Sequence, residues 1–245
     1  MNIIYLLFHG LSPYSGISKK ILHQVKGFEA CGHRVSLCTY SIADNGHRVR
    51  MINNEIIEDY GTGKPAAAKR RVSYQCIYRY AITHQVELIY VRSFHNANPF
   101  TIRLFSKLRK AGIKIAMEIP TYPYDSEYAG FPLVTRLGIQ VDKVFRKTLA
   151  KHVNAIVTFS DYHCIFGQRT IQISNGVDFD SIPLKKTVSK NTSVIHLLGV
   201  AEVHYWHGYD RLIEGLGKLH MIVLPLNLIL DLQQESEYGK IQENL

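Results

Sequence analysis

Cysteine is scarce in this 245-residue chain, and the four that occur, Cys31, Cys38, Cys76 and Cys164, form no C-x-x-C pair. A zinc ribbon and a disulfide scaffold are thereby excluded, and a reducing cytosol is the simplest home. The chain also lacks a G-x-G-x-x-G fingerprint and a Walker lysine, which argues against a nicotinamide dehydrogenase or a P-loop kinase. Neither H-E-x-x-H nor G-x-S-x-G occurs, so zinc proteases and serine hydrolases drop out as well. Long apolar runs are missing. Met1 to Phe8 is too short to span a bilayer and lacks the basic start of a signal peptide; Met221 to Leu230 is interrupted by Pro225 and Asn227. No internal repeat or low-complexity segment is present.

Acidic residues are also few, 20 against 29 Lys and Arg, for a formal charge of +9. One segment carries the imbalance: Lys64 to Lys114 holds eleven basic residues and the single acid Glu87. Such a surface would suit anionic lipid headgroups or a phosphorylated substrate, or it is the ordinary solvated face of two helices. Nucleic acid is not expected as a partner, since no recognised motif and no aromatic-studded basic strand occurs.

What is present is strand and helix in alternation. Asn2 to Phe8 reads as a buried strand, His9 to Gly16 as a loop, and Ile17 to Ala30 as a helix with Ile17, Ile21, Leu22, Val25 and Phe28 at helical spacing. A strand over His33 to Tyr40 follows, then a weaker one over Arg48 to Ile52 or Glu55 to Ile57. Lys64 to His84 is expected to be one basic helix, Leu88 to Val91 a strand, Pro99 to Lys110 a helix and Ile113 to Ile119 a strand. Leu133 to His152 reads as a long helix, Ala155 to Phe159 as a strand, Asp161 to Phe166 as a short helix and Thr170 to Ile173 as a final strand. Near-continuous apolar strands alternating with helices predict an α/β fold: a Rossmann-like parallel sheet with helices on both faces.

At Ile173-Ser174-Asn175-Gly176-Val177-Asp178 the pattern changes. A turn that Gly176 permits, then Pro183 and a polar stretch, has the chemistry of a domain exit. The expected division is 1–174 as a first Rossmann-like domain, 175–192 as a hinge, and 193–245 as an incomplete second domain. That second part offers a strand at Ser193 to Leu198, a loop, a helix at Gly208 to Leu219, and an atypical tail from about residue 220.

Ligands of doubly wound sheets bind beyond the carboxyl ends of the strands, which singles out three loops. Ser12-Pro13-Tyr14-Ser15-Gly16 opens onto a helix start whose amides suit a phosphate, or it is a plain strand-to-helix turn. Glu118-Ile119-Pro120-Thr121-Tyr122-Pro123-Tyr124 puts a carboxylate at a strand end beside two tyrosines on a proline-stiffened wall, a surface suited to a sugar ring. Glu118 would orient an acceptor hydroxyl or act as a base, or else pair with an arginine or cap an amide. Val203 to Arg211, with His204, Trp206 and His207, precedes the second-domain helix and either meets a diphosphate or simply packs.

The loop with Gly16, the Glu118 to Tyr124 block, the Ile173 to Asp178 hinge and Trp206-His207-Gly208-Tyr209-Asp210-Arg211-Leu212-Ile213-Glu214 together resemble the family-4 glycosyltransferases of the GT-B fold, of the bacterial capsule and exopolysaccharide type. That resemblance implies an acceptor-binding first domain, a second domain for a nucleotide-sugar donor, a lipid-linked or polysaccharide acceptor, and transfer without a bound metal or other cofactor. It implies donor-phosphate contacts at Gly16 and His207, catalysis at Glu118, and acceptor contacts at Ser15, Thr121, Tyr122 and Tyr124. The enzyme would be cytoplasmic and peripheral at the inner membrane face, docked through Lys64 to Lys114.

Departures from the family pattern are also visible. Its Gly-Arg-x-x-x-x-Lys-Gly element has Val200 in place of arginine and His207 in place of lysine here, and Glu235 and Glu243 reproduce an E-x7-E spacing only by coincidence. Met221 to Leu245 does not continue the family pattern, which leads to the expectation of a truncated chain with impaired or no transferase activity. A non-catalytic acceptor-binding or membrane-associating remnant is the alternative, and a small-molecule-binding Rossmann protein a third.

Overall fold

Strands that are apolar at almost every position are stable only where both faces are covered. The computed structural model describes residues 1–13, 15–93, 95–125, 133–176, 178–182, 195–201, 208–220 and 226–232, and it builds such strands into a nine-stranded sheet. The strands are β1 (Asn2–Leu6), β2 (Arg34–Ile42), β3 (Arg48–Ile52), β4 (Glu55–Gly61), β5 (Leu88–Arg92), β6 (Lys114–Ile119), β7 (Ala155–Thr158), β8 (Cys164–Ile165) and β9 (Gln168–Gln172). Their order is β4-β3-β2-β1-β5-β6-β7-β9-β8, with β2 through β9 parallel and antiparallel pairs only at the two margins. The helices of this unit are α1 (Gly16–Ala30), α2 (Gly63–Val72), α3 (Gln75–Thr83), α4 (Pro99–Lys110) and α5 (Leu133–Ala150). The protein is therefore α/β, with a mostly parallel sheet flanked by helices as in Rossmann-like folds.

Alternation along each strand divides the core in two. Ile3, Tyr5, Leu7, Tyr90 and Val157 face α1, which covers them with Ile21, Val25 and Phe28. Ile4, Leu6, Cys38, Ile89, Val91, Ile115, Met117 and Ile119 face the other way, onto Ile77 and Ala81 of α3, Leu104, Phe105 and Leu108 of α4, and Leu149 of α5. The chain moves from β1 outward to β2 on one side and then returns to place β5 on the other. The loops after β1 and β5 consequently part company at the carboxyl edge, and that divergence is the switch point at which such sheets hold ligands.

Four local expectations are corrected. The basic stretch from Lys64 to His84 is two helices, because Ser73 takes an extended backbone (φ −100°, ψ 108°). The break lets Tyr74 bury its ring edge-on against Phe8, with centroids 5.7 Å apart, and gives the Ser73 carbonyl the Tyr60 hydroxyl at 3.3 Å. Asp161 to Phe166 is no helix. Its end is β8 of a hairpin whose two-residue turn, Phe166-Gly167, has φ of 53° and 82°, the doubly positive geometry that suits strand twist. Arg48 to Ile52 and Glu55 to Ile57 are both strands, joined at Asn53-Asn54 with φ of 48° and 68°. Finally, the stretch expected to be an atypical tail from about residue 220 contains a strand, β11 (Leu226–Leu232), in which Asn227 aligns with His196.

The chain divides into two compact units, Met1–Phe179 and Asp180–Leu245. In the second, β10 (Ile195–Ala201) pairs in parallel with β11, and α6 (Tyr209–His220) is the connection between them. Parallel neighbours need such a crossover, so this is a β-α-β unit. Most of the expected hinge at 175–192, and the tail beyond Leu232, lie outside the described residues.

Ile4 is fully buried on the central strand, whereas Ile56 is 57% exposed on the margin. Ile4→Ala should cost about 2–5 kcal/mol, and Ile56→Ala should stay within about 0.5 kcal/mol of the parent. Denaturant titration distinguishes them; equal losses would contradict the placement of the core.

Candidate functional site

A charged side chain at the end of an apolar strand must find a partner or stay in water. β5 ends in Arg92 and β6 carries Glu118 opposite it in the register. Their side chains are 7% and 0% exposed and form an ion pair, Arg92 Nη1 to Glu118 Oε1. The other carboxylate oxygen accepts from Gln24 Nε2 at 2.8 Å and from the Tyr90 hydroxyl at 2.6 Å. Tyr5 donates to Gln24 Oε1 at 2.6 Å, so a chain of hydrogen bonds runs from β1 through α1 to β6. Burial, and then the Glu118 charge, raise the pKa of both Tyr5 and Tyr90, keeping these phenols as donors. Glu118 has both oxygens occupied and no exposed surface.

Around this pair the positive end of α1 and two more nitrogen bases converge. Ser15 is the N-cap, accepting from the Ser18 amide at 3.4 Å, while Ser18 Oγ accepts from the Ser12 amide at 2.9 Å. The loop is thus folded back on the helix start, where the macrodipole favours an anion. A Cβ added at Gly16 would meet nothing within 4 Å, so packing within the chain does not explain that glycine. Lys20, one turn on, sits over the Phe159 ring at 3.5 Å. Burial lowers its pKa, with Glu118 opposing and Arg92 reinforcing the shift. His9, in the loop after β1, is held below its ordinary value by burial, with its Gly10 contact opposing and Arg92 reinforcing.

The β6 loop residues divide among different surroundings. Thr121 is exposed and Tyr122 half-buried, its ring edge-on to Tyr162 and Phe166 at 4.9 and 5.5 Å. Tyr124 is buried: its hydroxyl donates to Asp142 at 2.9 Å and its ring lies 4.6 Å from that of His95. Arg146 clasps Asp125 through two bonds, 2.7 and 3.1 Å, and lies over the Phe166 ring at 4.6 Å. Tyr124 is thereby committed to the packing of α5, leaving Thr121 and Tyr122 as the accessible part of the wall. His207 and the rest of the 202–207 loop lie outside the described residues. Among the described residues no group of three or more His, Cys, Asp or Glu is arranged to hold a metal ion.

Two members of the basic segment, Arg70 and Arg92, are each 6% exposed and add little to the outer surface of the protein. The remaining residues are spread over α2, α3, α4 and the start of β6, with Arg79 engaged by Glu58 at 3.6 Å and Lys107 by Gln75 at 3.3 Å. Arg92, Gln24 and Tyr90 were not among the residues singled out in the sequence. A charge closing the strand Leu-Ile-Tyr-Val-Arg, like the one near the end of β6, is the signal that marks Arg92. No protein-family model matches this chain, and no curated protein matches it.

His95 has φ of 47° and a pKa pushed down to about 4 by burial, which Asp125 opposes and Arg146 reinforces. In the unfolded chain it takes up a proton below about pH 6.5, while the folded state resists until about pH 4. Stability should therefore fall as pH drops through that window, by on the order of 2 kcal/mol. His95→Asn, which tolerates the same backbone, should lose that part of the pH dependence in denaturant titrations. An unchanged profile would show that His95 protonates freely when folded.

Proposed function

We propose that the protein is a glycosyltransferase of the GT-B type that moves a sugar from a nucleotide-sugar donor to a lipid-linked or glycan acceptor in cell-surface glycan synthesis. The nine-stranded unit is the acceptor side in this reading, and the β10-α6-β11 unit belongs to the donor side. One observation carries the reading: Lys20 and the capped start of α1 put positive charge at the switch point of the sheet, beside the neutralised Arg92-Glu118 pair.

That arrangement fits the chemistry. In sugar transfer the bond from the anomeric carbon to the diphosphate oxygen breaks, leaving negative charge on the diphosphate, while the acceptor oxygen bonds to the same carbon and gives up its proton. Fixed positive charge and helix amides stabilise that leaving group. Lys20 and the α1 amides would meet the phosphates, with Gly16 letting them approach; Glu118 would keep Arg92 extended toward them. Thr121 and the Tyr122 face would present a sugar-binding wall, and His9, held neutral, would be suited to receive the acceptor proton. Among the described residues no helix is long and apolar enough to cross a membrane. Contact with an anionic membrane at the inner face would fall to the exposed basic residues between Lys64 and Lys114.

Calorimetry with a panel of uridine and guanosine diphosphate sugars tests the reading. One donor should give saturable uptake that Lys20→Met weakens about fivefold, the loss of one charged phosphate contact. Failure of every nucleotide and nucleotide sugar to bind would contradict it, and uptake of a glycan acceptor without any donor would favour a non-catalytic acceptor-binding module.

A further inference from the structure

On the opposite face of the same sheet lies a second concentration of buried charge. β3 directs Arg48 and Arg50, 8% and 2% exposed, to the face carrying Cys38 and Tyr40, and α2 lays Arg70, 6% exposed, across them. Arg48 donates to the Tyr40 hydroxyl at 2.6 Å, Arg70 stacks over the Tyr40 ring at 4.2 Å, and Arg50 donates to the Leu7 carbonyl at 2.7 Å. For Arg50 and Arg70 these contacts are aromatic or neutral. Burying like charges together is costly unless an anion joins them.

Nothing described supplies that anion to Arg50 or Arg70. Glu58 stands across from Arg50 in the strand register, yet its carboxylate reaches out to Arg79 at 3.6 Å. Burial pushes the Cys38 thiol up to about 12, and it raises the Tyr60 and Tyr74 phenols too, so these neighbours stay neutral. Among the described residues, no acceptor meets the buried Nε donors of Arg50 and Arg70. Such orphan donors are uncommon in folded proteins and mark a place where a partner is wanted. The cluster lies beside Leu7 and Phe8, at the carboxyl edge where β1 delivers its loop.

We propose that Arg50 and Arg70 form a binding site for an oxyanion, the phosphate or carboxylate group of a small polar ligand, separate from the Arg92 site. Planar guanidinium groups offer paired donors that match the oxygens of either group, and an anion between Arg50 and Arg70 would exchange their mutual repulsion for charge-assisted bonds. The site stands independently of sugar transfer. If transfer does occur, it selects an acidic or phosphorylated sugar substrate.

Inorganic phosphate and glucuronate are the probes, each titrated into the full chain by calorimetry and by thermal unfolding, against sodium chloride at equal ionic strength. The site predicts that at least one probe binds in the Lys20→Met background with unit stoichiometry and raises Tm beyond the chloride control. Arg70→Met should weaken that binding about tenfold or more while leaving Tm in plain buffer unchanged or higher, since a repelling charge is gone. Arg50→Lys, which keeps the charge but not the planar fork, is the second variant and should weaken binding as well. Phosphate can also occupy the start of α1, so the arginine site is read as the binding that persists in Lys20→Met and is lost when Arg70→Met is added. Absence of binding by both probes, loss of binding in Lys20→Met instead of Arg70→Met, or an Arg70→Met chain that is less stable but binds normally would each overturn the proposal. Because the outcomes are read in the Lys20→Met background, donor binding at Lys20 can fail or succeed without altering them.

Discussion

The pairing of Arg92 with Glu118 is the constraint around which the carboxyl edge of the sheet is organised. Neither group can be fully buried alone, because a lone ion loses several kcal/mol of hydration that nothing returns. Together, and with Gln24 and Tyr90 closing the remaining acceptor position, they are satisfied. The pair fastens β5 to β6, and the Tyr5 to Gln24 bond carries the connection to β1 and α1. Polar networks of this kind are sharply specified: when every member is satisfied they fix one arrangement, and when one is missing they are worse than an apolar core. The start of α1 is thus held in register with the strand ends by side chains as well as by its apolar face.

Positive charge at the two faces of the sheet differs in how it is balanced. Next to α1, Glu118 balances Arg92. Beneath α2, the arginines rest on Tyr40, on Phe8 and on the Leu7 carbonyl. Both concentrations are at the end of the sheet where strand carbonyl termini and helix starts gather, and the parallel order of the central strands puts them there. The charge excess of the chain is therefore partly internal, a different matter from a basic coat that repels or attracts at long range.

Much of this was legible in the sequence, for reasons that differ from element to element. Asn2 to Leu6, Leu88 to Arg92 and Pro99 to Lys110 were readable because composition, periodicity and caps agree there; Asn98 accepts from the Phe100 and Thr101 amides, as a helix start with proline following should. The break at Ser73 was not readable, since no glycine or proline marks it and only the burial of Tyr74 requires it. The hairpin at Phe166-Gly167 was hidden because phenylalanine is an unusual residue at positive φ, whereas Asn53-Asn54 carries a recognisable turn signal. Glu118 was visible as a carboxylate at a strand end, but its partner depended on register: Arg92 lies 26 positions earlier, and only the pairing of β5 with β6 makes them neighbours. Arg70 was counted in the basic segment, and Arg48 and Arg50 of β3 were not singled out, for the same reason: a charged residue on a marginal strand looks solvated until a helix is laid over it.

The most direct test of this account is the coupling between Arg92 and Glu118, measured as a double-mutant cycle with Arg92→Leu, Glu118→Leu and the pair together in denaturant titrations. Mutual dependence predicts that each single replacement costs about 3–5 kcal/mol and that the double variant recovers much of the loss, a coupling of at least about 2 kcal/mol. Losses that add to within about 0.5 kcal/mol would mean that the two side chains act separately, and the carboxyl edge of the sheet would have to be held by something else.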